Sequence, residues 1–239
     1  MSKLDVSQSA VLTLPPDACA AVLGAHGTGK TTTLIEFVAR RVLADRWSPS
    51  EVLALTASRS TATALRDALA DRLGIATSGP LARTVNSIAF DIVGHDRKAS
   101  GGTPPRLLTG SDQDSDLGHL LTGHLADCTG PAWPEPLGPD VRRLRGFRTE
   151  LRELMMRASE YGVSPNQLRA LGQQHGHPEW VAAADFTAEY LQVMGGARPD
   201  QLDSAELVRA ACVALAVGEP GETVSALKLV VVDDVQEAT

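Results

Sequence analysis

The 239-residue sequence is short of several things, and each shortage narrows what it encodes. No apolar run approaches the ~20 residues that a membrane-spanning helix needs. The opening Met1-Ser2-Lys3-Leu4-Asp5 lacks the basic-then-apolar layout of an export signal, which makes the cytoplasm the expected location. Cysteine is limited to Cys19, Cys128 and Cys212. Odd in number and far apart, they form neither a disulfide framework nor a metal-spaced pair, and reduced, mostly buried thiols are expected. Positive charge is in deficit, with a net charge of −7. That argues against a grip on nucleic acid by bulk charge, although it leaves room for a local basic groove. Lysine is scarce: of 22 cationic side chains only Lys3, Lys30, Lys98 and Lys228 are lysines. What is present is an average apolar content of 43%. A packed core is therefore affordable, and collagen-like or wholly disordered chains are excluded. The length fits one large domain or two small ones.

Short apolar runs alternate with amphipathic stretches. Cys19 to Leu23 reads as a buried strand, followed by a Gly-rich turn and a helix over 31–43. Val52 to Leu55 reads as a second strand. A helix over 60–73 puts Ala62, Leu65, Leu69 and Leu73 on one face. Residues 82–85 predict a third strand and 87–93 another helix. Such alternation predicts a parallel sheet covered on both faces. Residues 95–105, rich in Gly, Ser and Pro, predict an exposed connection. Arg106 to Leu108 is one more short strand. From Ser111 to about Val217 only helices are expected, over 112–125, 141–161, 164–173, 178–194 and 203–217. Ser164 caps one start, and Asp203 or Ser204 another. The β-branched run Leu227 to Val232 then returns to the first sheet. This divides the chain into an α/β unit, residues 1–110 and 225–239, and a helical insertion, residues 111–224.

Gly24-Ala25-His26-Gly27-Thr28-Gly29-Lys30-Thr31 satisfies G-x-x-x-x-G-K-[ST]. Glycines at Gly24, Gly27 and Gly29 let backbone N–H groups turn inward around phosphates. The helix that follows points its positive end at them. In such a loop Lys30 reaches the β- and γ-phosphates and the Thr31 hydroxyl holds Mg²⁺, with Thr28 and Thr32 beside it. A carboxylate at the end of a neighbouring strand completes the ion's site. Val230-Val231-Val232-Asp233-Asp234 supplies one: Asp233 on the metal side, and Asp234 where a base would orient water.

These stretches together resemble the superfamily 1 DNA helicases of the UvrD/Rep type. Ser7-Gln8-Ser9-Ala10-Val11 resembles the family's opening glutamine motif, which implies that Gln8 reads the adenine edge. Val52 to Leu65 resembles motif Ia, and Arg83-Thr84-Val85-Asn86-Ser87 resembles motif Ib. The resemblance assigns single-stranded DNA to Thr56, Ser58, Arg59, Thr84 and Asn86. Val232-Asp233-Asp234-Val235-Gln236-Glu237 resembles the V-D-E-x-Q-D box, in which Gln236 couples nucleotide state to the DNA-bound half. The implied fold is a RecA-like P-loop NTPase sheet, domain 1A, with an all-helical insertion, 1B. The implied activity is ATP- and Mg²⁺-dependent 3′→5′ movement on DNA in repair or recombination, with 2A and 2B domains expected beyond Thr239. The arginine-rich style is similar to the actinobacterial AdnA and AdnB helicase–nuclease subunits, which implies a second subunit as partner.

The sequence departs from the family pattern in three places. The acidic box has Asp234 where the family has glutamate. The aromatic of motif Ia is Ala57. The Phe-His pair of motif Ib is Val85-Asn86. Base stacking is worth ~1–3 kcal/mol per base, so the missing rings imply a weaker grip on a strand. A second reading follows: a weakly or non-hydrolysing ATP-binding structural subunit of a helicase–nuclease. An unrelated phosphate-loop kinase would need an acceptor site, and none is visible. The helix over 141–161 carries Arg142, Arg143, Arg145, Arg148, Arg152 and Arg157 among Glu150, Glu153 and Glu160. It is either a phosphate-binding face or, as the interleaved acids favour, a solvated face with spaced ion pairs. Trp133 and Trp180 are expected to pack rather than to stack bases.

Overall fold

Helix α1, Val6–Leu12, begins with a reciprocal cap: the Asp5 carboxylate accepts the Gln8 N–H at 2.8 Å, and the Gln8 side chain accepts the Asp5 N–H at 2.9 Å. The computed structural model describes residues 4–237, apart from positions 78, 199 and 219–220, so Lys3 and the rest of the opening tripeptide lie outside the described residues. The order continues α2 (Lys30–Leu43), β1 (Val52–Thr56), α3 (Arg59–Leu73), β2 (Ala82–Thr84), α4 (Val85–Ala99), β3 (Arg106–Leu107) and α5 (Gly110–Asp127). Then come α6 (Pro139–Arg142), α7 (Arg145–Glu160), α8 (Pro165–His175), α9 (Pro178–Ala197), β4 (Gln201–Leu202), α10 (Ser204–Val217), α11 (Glu222–Ser225) and β5 (Leu229–Val232). Two compact units result, Met1–Asp96 with Ala214–Thr239, and Arg97–Val213.

The first unit is built on a parallel sheet of order β2-β1-β5, with Ala54 opposite both Ala82 and Val231. Ala62, Leu65, Leu69 and Leu73 of α3 are all buried, as their helical spacing predicts. They pack with Val38, Ala39 and Val42 of α2 against Val52, Ala54 and Ala82 of the sheet. The Arg72 guanidinium donates two bonds of 2.8 Å to Glu36, joining α3 to α2 beside this core. These bonds hold the Glu36 carboxyl below its ordinary value of 4.5. A depressed carboxyl stabilises the fold fully above its unfolded value, and that contribution is lost as the pH falls through the folded one. Glu36→Gln is therefore expected to cost about 1 kcal/mol at pH 7. The difference from the parent should shrink in urea unfolding series as the pH falls below about 4.5; a constant difference across pH would contradict the assignment.

Several expectations are corrected. Cys19 to Leu23 is neither strand nor buried; the run is irregular and exposed, with Leu23 at 93%. The sheet is covered on both faces at β1, where Val52, Leu53 and Ala54 are all buried, but not at β5, where Leu229 and Val231 join the core while Val230 and Val232 are 50% and 39% exposed. The cysteines are exposed, not buried. Cys128 is the left-handed cap residue ending α5, with φ of 53°. Residues 95–99, expected in a connection, complete α4.

In the second unit the core gathers Leu117 and Leu121 of α5, Leu151 and Met155 of α7, and Ala183, Phe186 and Tyr190 of α9. Trp133 packs edge-on to Phe147 with centroids 5.1 Å apart, as expected of a packing residue. The Ser164 hydroxyl accepts the Gln167 N–H, and the Asp203 carboxylate accepts the Glu206 N–H, so both predicted caps form. The expected helix over 141–161 is broken, because Leu144 is extended with ψ of 142° between α6 and α7. Nor is this unit purely helical: β3 and β4 form a two-residue parallel pair. The α7 arginines make none of the expected spaced pairs at Arg148 and Arg152. Arg148 donates to Asp114 at 3.1 and 3.2 Å, and Arg152 to the Gly110 carbonyl at 3.0 Å, tying α7 to α5. Among the described residues no helix is long and apolar enough to cross a membrane.

Candidate nucleotide and nucleic-acid site

The phosphate-loop sequence makes a tight turn leading into α2. Gly27 and Gly29 adopt φ of 78° and 85°, a region in which a Cβ is strained. Gly24 is needed for space, since a Cβ there would lie 2.6 Å from Thr28 Oγ1. The Thr28 hydroxyl donates to the Ala25 carbonyl at 2.8 Å and closes the turn. The Lys30 ammonium folds across the loop and donates to the Gly24 and Ala25 carbonyls, each at 3.2 Å. Thr33, which the sequence reading passed over, is 2% exposed and donates to the Gly29 carbonyl at 2.9 Å, anchoring the helix start.

The Thr31 hydroxyl donates to both Asp233 carboxylate oxygens, at 2.9 and 3.2 Å. These residues stand 202 positions apart in the sequence. Pairing of β5 with β1 sets the position of Asp233, whose N–H donates to the Leu55 carbonyl at 2.9 Å where the strand ends, and its carboxylate there meets Thr31 at the start of α2. Asp234 turns back with φ of 48°, and its carboxylate accepts a bond from Gln236 Nε2 at 3.2 Å. Aspartate tolerates this left-handed backbone better than most side chains, because its short polar group bonds locally. Gln8 does double service. While its carbonyl caps α1, its amide donates to the Thr28 carbonyl at 3.2 Å and holds α1 against the loop.

The residues expected to meet DNA lie at the carboxyl ends of β1 and β2, the end of the parallel sheet that also carries Asp233. Ligands bind at this end in open α/β sheets. Arg59 and Ser58 are exposed at the start of α3. The Ser58 hydroxyl caps α3 by accepting the Thr61 N–H at 3.2 Å. Thr56 is a correction: it is 2% exposed, and its hydroxyl donates to the Ser58 carbonyl at 3.1 Å, so it shapes the turn and offers nothing to a ligand. Thr84 accepts the Ser87 N–H at 3.2 Å at the start of α4, and Asn86 is half-buried beside it. Sequence reasoning missed Arg83, which pairs with Asp91 at 2.6 Å and with Ser87 at 2.9 Å and so braces the same turn.

By class, this is a helicase-type ATP-binding motor domain. The family model that matches is that of the UvrD/REP helicase N-terminal domain, over residues 4–239, and the chain belongs to that family. No curated protein matches the chain.

Proposed function

We propose that the chain binds Mg-ATP through the loop 24–31 and Asp233, and acts as the ATP-binding half of a 3′→5′ DNA helicase or translocase in repair or recombination. The Thr31–Asp233 contact carries this reading. A hydroxyl and a carboxylate, both hard oxygen ligands, meet beside a turn whose glycines leave room for phosphate oxygens. That donor set suits Mg²⁺, with Thr31 and Asp233 as its holders. The ion would supply charge neutralisation between phosphate oxygens. Gly24, Gly27, Thr28, Gly29 and Thr32 line the phosphates, and Lys30 exchanges its two carbonyl acceptors for phosphate oxygens. Asp234 orients water and Gln236, bonded to it, senses the third phosphate. Gln8 holds the loop and presents its remaining polarity to adenine. Ser58, Arg59, Thr84 and Asn86 face a DNA strand.

The test is nucleotide binding with and without Mg²⁺, read by a fluorescent ATP analogue. Parent protein should bind at least about tenfold more tightly with Mg²⁺, and Asp233→Asn should lose that advantage. Binding indifferent to both the ion and the variant would remove the reading. Turnover by the chain alone should be slow, because residues 18–28 are exposed and such a site excludes water poorly. A second reading, a weakly hydrolysing subunit of a helicase–nuclease, draws on Asp234 in place of a longer acid and on Ala57 and Val85 in place of rings. Rapid DNA-stimulated turnover by this chain would rule that reading out.

A further inference from the structure

Away from the phosphate loop, the second unit has a partly open cavity of about 400 Å³ between α5, α7, α8, α9 and the start of α10. Its size is that of a small-molecule site. Met155, Leu168, Leu191 and Met194 give it apolar walls. At its polar end stands Tyr190, only 4% exposed, whose hydroxyl has no hydrogen-bond partner among the described residues. A buried hydroxyl without a partner costs roughly 1–3 kcal/mol, and Tyr190 is among the residues that border this space.

The surrounding charges decide what kind of partner suits it. Asp116, Asp203 and Glu206 line the same cavity, with Arg198 and Arg209 as its cations. Arg198 is already committed, donating to both oxygens of the buried Asp116 at 2.7 and 3.0 Å. Asp203 and Glu206 share the first turn of α10, where each bonds the other's backbone. Burial raises the Tyr190 phenol, and Asp116, Glu206 and Asp203 push it further in the same direction. Burial also raises the Glu206 carboxyl; Asp203 adds to this and Arg209 opposes it. Both groups thus lie in a partly dehydrated space, with nearby carboxylates adding to the effect of burial.

We propose that this cavity binds a small organic amine, its ammonium donating to the Tyr190 hydroxyl and the Glu206 carboxylate and its apolar body lying on Met155, Leu168 and Met194. A cation relieves the repulsion between Glu206 and Asp203 and gives Tyr190 its missing partner. An anion would meet Asp203 and Glu206, with Asp116 and Arg198 already paired to each other and Arg209 as the other cation. A neutral ligand would leave the field uncompensated.

The probe is 2-phenylethylamine, titrated calorimetrically into the 239-residue chain without nucleotide, beside 2-phenylethanol and phenylacetate as neutral and anionic shape controls. The amine is expected to bind at least tenfold more tightly than the alcohol, and phenylacetate to give no heat. Tyr190→Phe and Glu206→Gln should each weaken the amine fivefold or more. Both variants keep their shape, and melting of the free proteins checks that they fold. Amine binding should also strengthen as the pH rises and Glu206 ionises. No binding by the amine, equal binding by the alcohol, or folded variants that bind like the parent would each overturn the proposal. Tyr190 would then be a buried hydroxyl satisfied by solvent alone.

Discussion

Lys30→Ala is expected to weaken Mg-ATP binding by about a hundredfold, the order for removing a charged donor from a phosphate in a partly dehydrated site. Lys30 is half-buried at the start of α2, and its ammonium now bridges two carbonyls of its own loop. Those carbonyls belong to exposed residues, so water replaces the lost donor at little cost. The glycine conformations and the Thr28 bond, which set the turn, do not involve Lys30. The melting temperature should therefore move by no more than a few degrees while nucleotide affinity collapses. Fluorescent-analogue titration and thermal melting on the same preparation separate the two effects. Unchanged affinity in a folded variant would mean that the loop does not hold a nucleotide through this residue.

The second large effect is on chemistry rather than on binding. Asp234→Asn should lower single-turnover ATP hydrolysis by about 10²–10⁴-fold, the usual contribution of a positioned acid–base group. Asparagine accepts the left-handed backbone at φ of 48° and can still accept the bond from Gln236. Folding and nucleotide affinity should thus stay within about twofold of the parent, since the change swaps one carboxylate oxygen for an amide nitrogen. With protein in excess over labelled ATP, even slow turnover is measurable. Hydrolysis that survives intact would strip Asp234 of its role. The companion change, Asp234→Glu, sets two effects against each other. The longer acid reaches further toward water, but it gives up the short side chain that suits the left-handed turn. A rise in turnover would show that reach was limiting.

The parts of the molecule legible in the sequence are those whose cause is local. The period of Ala62, Leu65, Leu69 and Leu73 announces a buried helical face because nothing distant is needed to set it. The glycines and Lys30 declare a phosphate loop for the same reason. Thr31 and Asp233 are paired by the sequence because a phosphate loop calls for a carboxylate at a neighbouring strand's end, and the β1–β5 register fixes where that strand ends. Other features depend on partners that spacing does not reveal. Cys19 to Leu23 has the composition of a strand, yet a strand exists only where another pairs with it. The extended Leu144 has neither Gly nor Pro to mark the break between α6 and α7. Arg148 looked solvated among its sequence neighbours, and it is Asp114 on another helix that claims it. The cavity at Tyr190 leaves no trace in the sequence, since five helices must pack before it exists.

The free edge of β5 has a consequence for how such a domain behaves in a crowded solution. The sheet ends at β5, with Val230 and Val232 facing outward and backbone groups on that side unpaired among the described residues. An edge of this kind carries none of the usual guards, neither lysine nor proline within the strand, and it is a template for any extended chain that meets it. Its colloidal behaviour is therefore expected to depend on concentration as well as on the melting of its core. Copies kept dilute, or supplied with a strand to complete the sheet, are expected to stay dispersed under conditions where concentrated copies pair edge to edge.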